Sequence, residues 1–153
     1  MVLVLIGTQK QDFSRIFQKI EESEELRKEE IIAQVGHTKY ESKYMKCIPF
    51  MSYDEMIKTI AKADYIICHG GVGTIFDCLY QKKKMIVMPR LKKYGEHVND
   101  HQIEICKKLE EKGYLLYLRE NEDMNEKFKQ LKECNLKEYK TNQDFLDILR
   151  KEI

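Results

Sequence analysis

Six short apolar runs, set apart by longer stretches of helical spacing, limit how this chain can fold. They cover residues 2–6, 31–35, 45–48, 65–68, 85–88 and 114–118. Runs this short without polar alternation suit strands buried on both faces, and the stretches between them suit the crossover helices that parallel strands require. Phe13, Ile16, Phe17 and Ile20 share one helical face, while residues 21–30 read as a solvated helix end or loop. Ser52-Tyr53-Asp54-Glu55 is a capping box that opens a helix running to about Ala63. Further helices are expected over 74–80, from a cap at Asn99 or Asp100 to Lys112 with Gly113 closing it, over 122–134 and over 142–151. The expectation is an α/β fold, a Rossmann-like parallel sheet with helices on both faces, forming one domain over residues 1–153.

Charge and cysteine content narrow the class. There are 27 basic and 26 acidic side chains, a balance that gives no argument for nucleic acid as a partner. The five cysteines form no CxxC pair and are odd in number, which fits reduced thiols in a cytoplasmic protein better than a disulfide framework or zinc site. The first apolar run gives way to Gly7 and polar residues, too soon for a signal peptide or membrane span. Association with a membrane would then be peripheral or through a partner.

In a parallel sheet, ligands bind beyond the carboxyl ends of the strands. That edge gathers Gly7-Thr8-Gln9, Gly36-His37, Phe50-Met51, the stretch HGGVGTIFD at 69–77 and loop 90–98. A glycine-rich turn between strand and helix leaves backbone N–H groups free to meet an anion, with no Cβ in the way at Gly70, Gly71 or Gly73. His69 adds a ring nitrogen and Thr74 a hydroxyl. The stretch is neither a P-loop nor a dinucleotide fingerprint, because no GK[ST] follows and GxGxxG cannot be drawn from it. Packing alone also favours such turns. Asp77 either reaches ribose hydroxyls or complements the helix dipole. Gly7-Thr8-Gln9 fits a plain turn as well as a phosphate contact, but two such junctions on one edge favour a pyrophosphate-sized site.

Loop 90–102 carries Glu96, His97, Asp100, His101 and Gln102. Gly95 and the expected helix cap put the two histidines on different elements, so no metal is expected. Asp and Gln suit sugar hydroxyls, and either histidine suits a general base or a diphosphate donor near neutral pH. Lys82-Lys83-Lys84 and Arg90, Lys92 and Lys93 lie at opposite ends of the fifth strand. Only the second group is near the edge in question. It reads as solvated surface or as a face toward an anionic membrane or diphosphate-linked acceptor.

HGGVGT after a strand, a fifth strand ending in Pro89 and NDHQ opening a helix resemble the donor-binding half of family 28 GT-B glycosyltransferases. GTQ at 7–9, AQVGH at 33–37, PFMSYDEM at 49–56 and PRLKKYGEHVNDHQ at 89–102 extend the likeness over about residues 1–118. It is strongest to two-subunit enzymes of bacterial exopolysaccharide and capsule synthesis and of the eukaryotic dolichol pathway. The resemblance implies a single GT-B half-domain binding a UDP-sugar as donor substrate, with no cofactor. By position, the main chain at Phe50 and Met51 would read the uracil and Asp77 the ribose. Thr8, His69 and the amides of residues 70–74 would meet the diphosphate, and Asp100, His101 and Gln102 the transferred sugar. It also implies a membrane-associated acceptor-binding subunit that recruits this chain from the cytoplasm to the inner membrane face, and a lipid-diphosphate-linked glycan acceptor. That subunit would carry the general base unless Glu96 or His97 supplies one. Helices over 120–153, with Phe145, Leu146 and Leu149, would either meet the partner or close this domain's own core. The competing expectations are a nucleotide-sugar-binding accessory subunit without turnover and an unrelated Rossmann-like nucleotide binder.

Overall fold

Short runs of Val, Ile and Leu with no polar alternation are stable as strands only where both faces are covered, and that sandwich is what the chain builds. The computed structural model describes residues 1–140. Six strands, β1 (Val2–Leu5), β2 (Ile31–Gln34), β3 (Lys46–Ile48), β4 (Tyr65–Cys68), β5 (Lys84–Val87) and β6 (Leu116–Tyr117), pair in parallel in the order β3-β2-β1-β4-β5-β6. Helices α1 (Ser14–Glu21), α2 (Glu24–Arg27), α3 (Tyr53–Lys62), α4 (Val72–Tyr80), α5 (His101–Glu111) and α6 (Met124–Glu133) form the outer layers.

The period-two alternation of each strand divides the core into two clusters. Val2, Val4 and Ile6 pack with Phe13, Phe17, Leu26 and Phe128 from α1, α2 and α6 and the turn before α1. Leu3 and Leu5 point the other way, onto Ile60, Ile75 and Leu109 from α3, α4 and α5. The chain winds outward from β1 to β3 and then returns to place β4 on the other side of β1. The crevice at that reversal lies between the ends of β1 and β4, where such sheets take their ligands.

Several expectations shift. Residues 21–30 are not merely a solvated end: Leu26 is fully buried, and Ser23 caps α2 by accepting a hydrogen bond from the Leu26 N–H at 3.1 Å. Asn125 Oδ1 then accepts from the Ser23 hydroxyl and the Glu25 N–H, tying α2 to α6. Helix α4 starts at Val72 rather than at residue 74, so Asp77 lies in its second turn. The last strand is shorter than 114–118, and the expected helix over 142–151, with Phe145, Leu146 and Leu149, lies outside the described residues. Lys83 and Lys84 donate to the closing carbonyls of α3 and α6, and Lys82 pairs with Glu138, so that half of the cationic cluster has structural partners.

The carboxyl edge of the sheet hangs on Arg90. The side chain is fully buried. Its guanidinium donates to the carbonyl of Ile6 at 2.9 Å, of Gln11 at 2.8 Å and of Glu96 at 3.1 Å, and it stacks over the Phe13 ring. Beside it, Arg15 forks onto Glu96 at 2.9 and 2.8 Å, and Glu96 also accepts from the Leu91 N–H. Together they lock the loop after β5 onto the loop after β1. Arg90 therefore faces neither a membrane nor an acceptor, and Lys93 is paired with Glu120.

Replacing Arg90 by Met removes the donor from those three carbonyls, two of them in buried contacts. Arg90→Met is expected to lose about 2–4 kcal/mol in urea unfolding, against less than about 0.5 kcal/mol for the exposed Lys92→Ala.

Candidate functional site

Beyond β1 and β4 the chain forms one crevice with two lobes that meet at Gln9 and Gly71. The first, about 290 Å³, is lined by Gly7, Thr8, Gln34, Phe50, Met51, Met56, His69, Gly73 and Thr74. The second, about 530 Å³, is lined by Gly70, Val72, His97, Asn99, His101, Gln102, Glu104 and Ile105. Among the described residues no lysine or arginine lines either lobe, so the polar surface consists of dipoles, imidazoles and one carboxylate.

The glycines at the junction answer to different neighbours. A Cβ on Gly71 would fall 2.2 Å from His69 Cε1, and one on Gly7, whose φ is +77°, would fall 2.7 Å from the same ring. A Cβ on Gly70 would meet the Gln102 side chain at 2.7 Å. Gly73 is unlike these three, because a Cβ there would meet nothing within 4 Å. Hence Gly7, Gly70 and Gly71 make room for protein side chains, and only Gly73 presents bare backbone to open space.

That open backbone begins α4. Whereas α3 opens with a complete Ser52–Glu55 capping box, no side chain among the described residues caps α4, whose first residue follows Gly71. The leading N–H groups of a helix have no partner within it and carry its positive dipole end. Here they open beside the first lobe.

His69 lies at the seam between the lobes, 5% exposed, with Nε2 buried and without a hydrogen-bond partner among the described residues. Burial, with the nearby Arg90 charge, holds its pKa down at about 3, so the ring is neutral at physiological pH. Gln102 fastens the strand ends: its Oε1 accepts from the Gly70 N–H at 3.0 Å and the Arg90 N–H at 2.9 Å. The buried Oε1 of Gln9, where the lobes join, also has no partner among the described residues.

The remaining candidates divide by position. Phe50 is half exposed at the first lobe, with the His37 ring edge-on at 5.1 Å. Asp77 lines neither lobe and accepts from the Tyr53 hydroxyl at 2.9 Å. Asp100 also lines neither, and accepts from the Lys92 N–H at 2.9 Å. His101 stands exposed at the second lobe, at the start of α5, where Asn99 rather than Asp100 accepts from its N–H. Glu96 is 3% exposed with both oxygens held by Arg15, so it presents no free carboxylate to the crevice. His97 accepts the Asn99 N–H on Nδ1 at 3.2 Å, which leaves its proton on Nε2 and makes that atom a donor toward the second lobe. Gln34, missed in the sequence, staples the first lobe by donating to the Gly7 and Pro49 carbonyls. A glutamine ending an otherwise apolar strand was the available signal.

The whole-chain comparisons agree with this architecture. Residues 1–151 match the family model of the glycosyltransferase family 28 C-terminal domain. The UDP-N-acetylglucosamine transferase subunit ALG13 of Homo sapiens is 34% identical over 64 residues, 42% of this chain and 5% of that protein. Its Candida albicans counterpart is 36% identical over 67 residues, 43% of this chain and 22% of that protein. The chain thus spans a small part of both relatives. Among solved structures, the glycotransferase of kitacinnamycin superposes with a TM-score of 0.61 at 13% identity, over 98% of this chain and 37% of that one. The glycosyltransferase SnogD from Streptomyces nogalater gives 0.62 at 15% identity, over 86% and 34%. These likenesses establish the Rossmann-like fold of GT-B glycosyltransferases. Among the described residues, no helix is long and apolar enough to cross a membrane.

Two measurements check the site's construction. Gly71→Ala drives a methyl into the His69 ring and is expected to lose about 2 kcal/mol in chemical denaturation, whereas Gly73→Ala is expected to be neutral or gain up to about 1 kcal/mol. The second measurement is pH dependence. The unfolded chain takes up a proton at a histidine below about pH 6.5, while buried His69 resists one, so this group's contribution falls on acidification. Between pH 7.5 and 5.5 the wild type is expected to lose about 1 kcal/mol more stability than His69→Gln.

Proposed function

The chain belongs to the glycosyltransferase family 28 C-terminal domain family, and from that premise we propose that it is the donor-binding catalytic subunit of a heteromeric, inverting, UDP-sugar-dependent glycosyltransferase. The observation that carries this reading is the uncapped start of α4 beside the unpartnered His69 Nε2, where the lobes meet at the switch point. A diphosphate suits that position: its oxygens accept hydrogen bonds, and the donors around them are neutral and preorganised.

The nucleoside extends into the first lobe, with uracil at Phe50 and Met51 and the diphosphate across Thr8, Gly73 and Thr74. Asp77 already holds the Tyr53 hydroxyl, so a ribose reaching Asp77 meets both groups. A hexose or N-acetylhexosamine occupies the second lobe, among His97, Asn99, His101 and Gln102. An acceptor hydroxyl attacks C1 from the face opposite the diphosphate, the C1–O bond breaks, and UDP departs with the bonding electrons. Its charge is received by the α4 amides and the His69 N–H. Glu96, bound by Arg15, and His97, with a protonated Nε2, are not free to take the attacking hydroxyl's proton, which goes to another base. We assign that base, and the site for a lipid-diphosphate-linked glycan, to a membrane-associated partner in polysaccharide assembly. The partner brings this subunit to the cytoplasmic membrane face. The same engagement of Glu96 and His97 also favours a second reading, a nucleotide-sugar-binding accessory subunit without turnover.

Calorimetry with UDP, UDP-sugars and NAD tests donor binding. UDP is expected to bind, and Gly73→Ala to weaken it about tenfold while folding normally. NAD binding with no UDP binding would overturn the family-based reading. Transfer of labelled sugar in the presence of the partner and a lipid-diphosphate acceptor separates the two roles. Transfer that survives Gly73→Ala and His69→Gln, when UDP binding does not, assigns the chemistry to the other chain.

A further inference from the structure

We propose that Gln102 is a positioning residue that fixes the tautomer of His69, placing the imidazole proton on Nε2 so that this atom donates to an oxygen of the bound diphosphate. The proposal rests on the donor-binding reading for its ligand, but not for its geometry.

The sequence of constraints starts in the backbone. Gln102 Oε1 receives two N–H groups, from Gly70 at 3.0 Å and from Arg90 at 2.9 Å. Both are main-chain donors that cannot be turned into acceptors, so the side-chain amide has one allowed orientation. Its NH2 group is thereby placed 3.5 Å from His69 Nδ1. A proton on Nδ1 would oppose that NH2 donor to donor, while a lone pair there accepts it. The contact is long, so it acts by excluding one tautomer more than by its own strength.

A neutral imidazole carries one proton, and with Nδ1 as acceptor that proton belongs on Nε2. Nε2 is buried, has no partner among the described residues, and lies on the ring edge flanked by Gly7 and Gly71. The same two glycines line the first lobe together with the ring. A side chain at either position would collide with the ring, so His69 keeps its place only while both positions lack a Cβ. The result is a single, uncharged, inflexible donor between two turns, suited to a ligand atom that only accepts hydrogen bonds. The opposite tautomer would turn a lone pair toward the same ligand oxygen and repel it. Gln102 therefore acts on the diphosphate through His69, in addition to lining the second lobe.

The test is long-range 1H–15N NMR on the full chain labelled at its four histidines, with His69 assigned by His69→Gln. In the ligand-free protein at pH 7.5, His69 is expected to show a protonated Nε2 and a bare Nδ1. The reverse pattern overturns the proposal whatever the protein binds. Gln102→Glu keeps an oxygen for the Gly70 and Arg90 N–H groups but turns an acceptor toward Nδ1. The bare-Nδ1 signal is therefore expected to vanish as that nitrogen gains a proton, and its persistence in a folded variant overturns the relay. If the variant does not fold, the wild-type pattern still decides the tautomer. Saturating the wild type with UDP is expected to shift the Nε2–H resonance without changing which nitrogen is protonated. UDP binding with that resonance unmoved overturns the donor role. Absence of UDP binding instead defeats the donor-binding reading and leaves the tautomer measured in the free protein standing.

Discussion

A parallel sheet leaves backbone groups unmet where its strands run out, and in this protein Arg90 meets several of them at once. Its guanidinium gathers the Ile6, Gln11 and Glu96 carbonyls from inside the core, and its own N–H is received by Gln102. A buried cation is tolerated only when its donors are well used. Here the carbonyls it satisfies belong to the two loops that border the crevice. Arg15 and Glu96 extend the clasp outward to α1 and to the loop after β5. The crevice is thus framed before any ligand arrives, and preorganised donors of this kind lose little on binding.

The same framing separates two demands that one glycine-rich turn has to meet. Gly71 gives way to the His69 ring, Gly70 gives way to Gln102, and Gly73 leaves the helix start bare. HGGVGT is therefore partly a packing motif and partly a stretch of open backbone, with the boundary falling between neighbouring residues. An imidazole wedged between Gly7 and Gly71 stays uncharged, so the crevice presents dipoles rather than a cation where its lobes meet.

Much of this was legible in the residues. Six apolar runs gave the strands, the Ser52–Glu55 box marked the start of α3, and the carboxyl-end rule brought the polar loops to one edge. What stayed hidden has a common cause. Arg90 read as surface because a charged residue beside two lysines usually is, and nothing local announces a cage of carbonyls from residues 6, 11 and 96. Glu96 read as a free acid because its partner, Arg15, lies 81 positions away in sequence. Helix α4 starts at Val72, two residues before the expected position, which sets Asp77 in its second turn.

By itself, then, the sequence determined the layer order, the edge where the glycine-rich and polar loops gather and the family, because hydrophobic period and turn chemistry are local properties repeated along the chain. Only the tertiary structure decided which polar side chains remain open to a ligand and which are already occupied. Arg90, Glu96 and the carbonyl of Gln102 carry the same chemistry as groups that line the crevice. What removes them from it is the set of donors and acceptors that distant segments bring within 3.5 Å. Hydrogen-bond occupancy is a property of the folded neighbourhood, and no spacing along the chain encodes it.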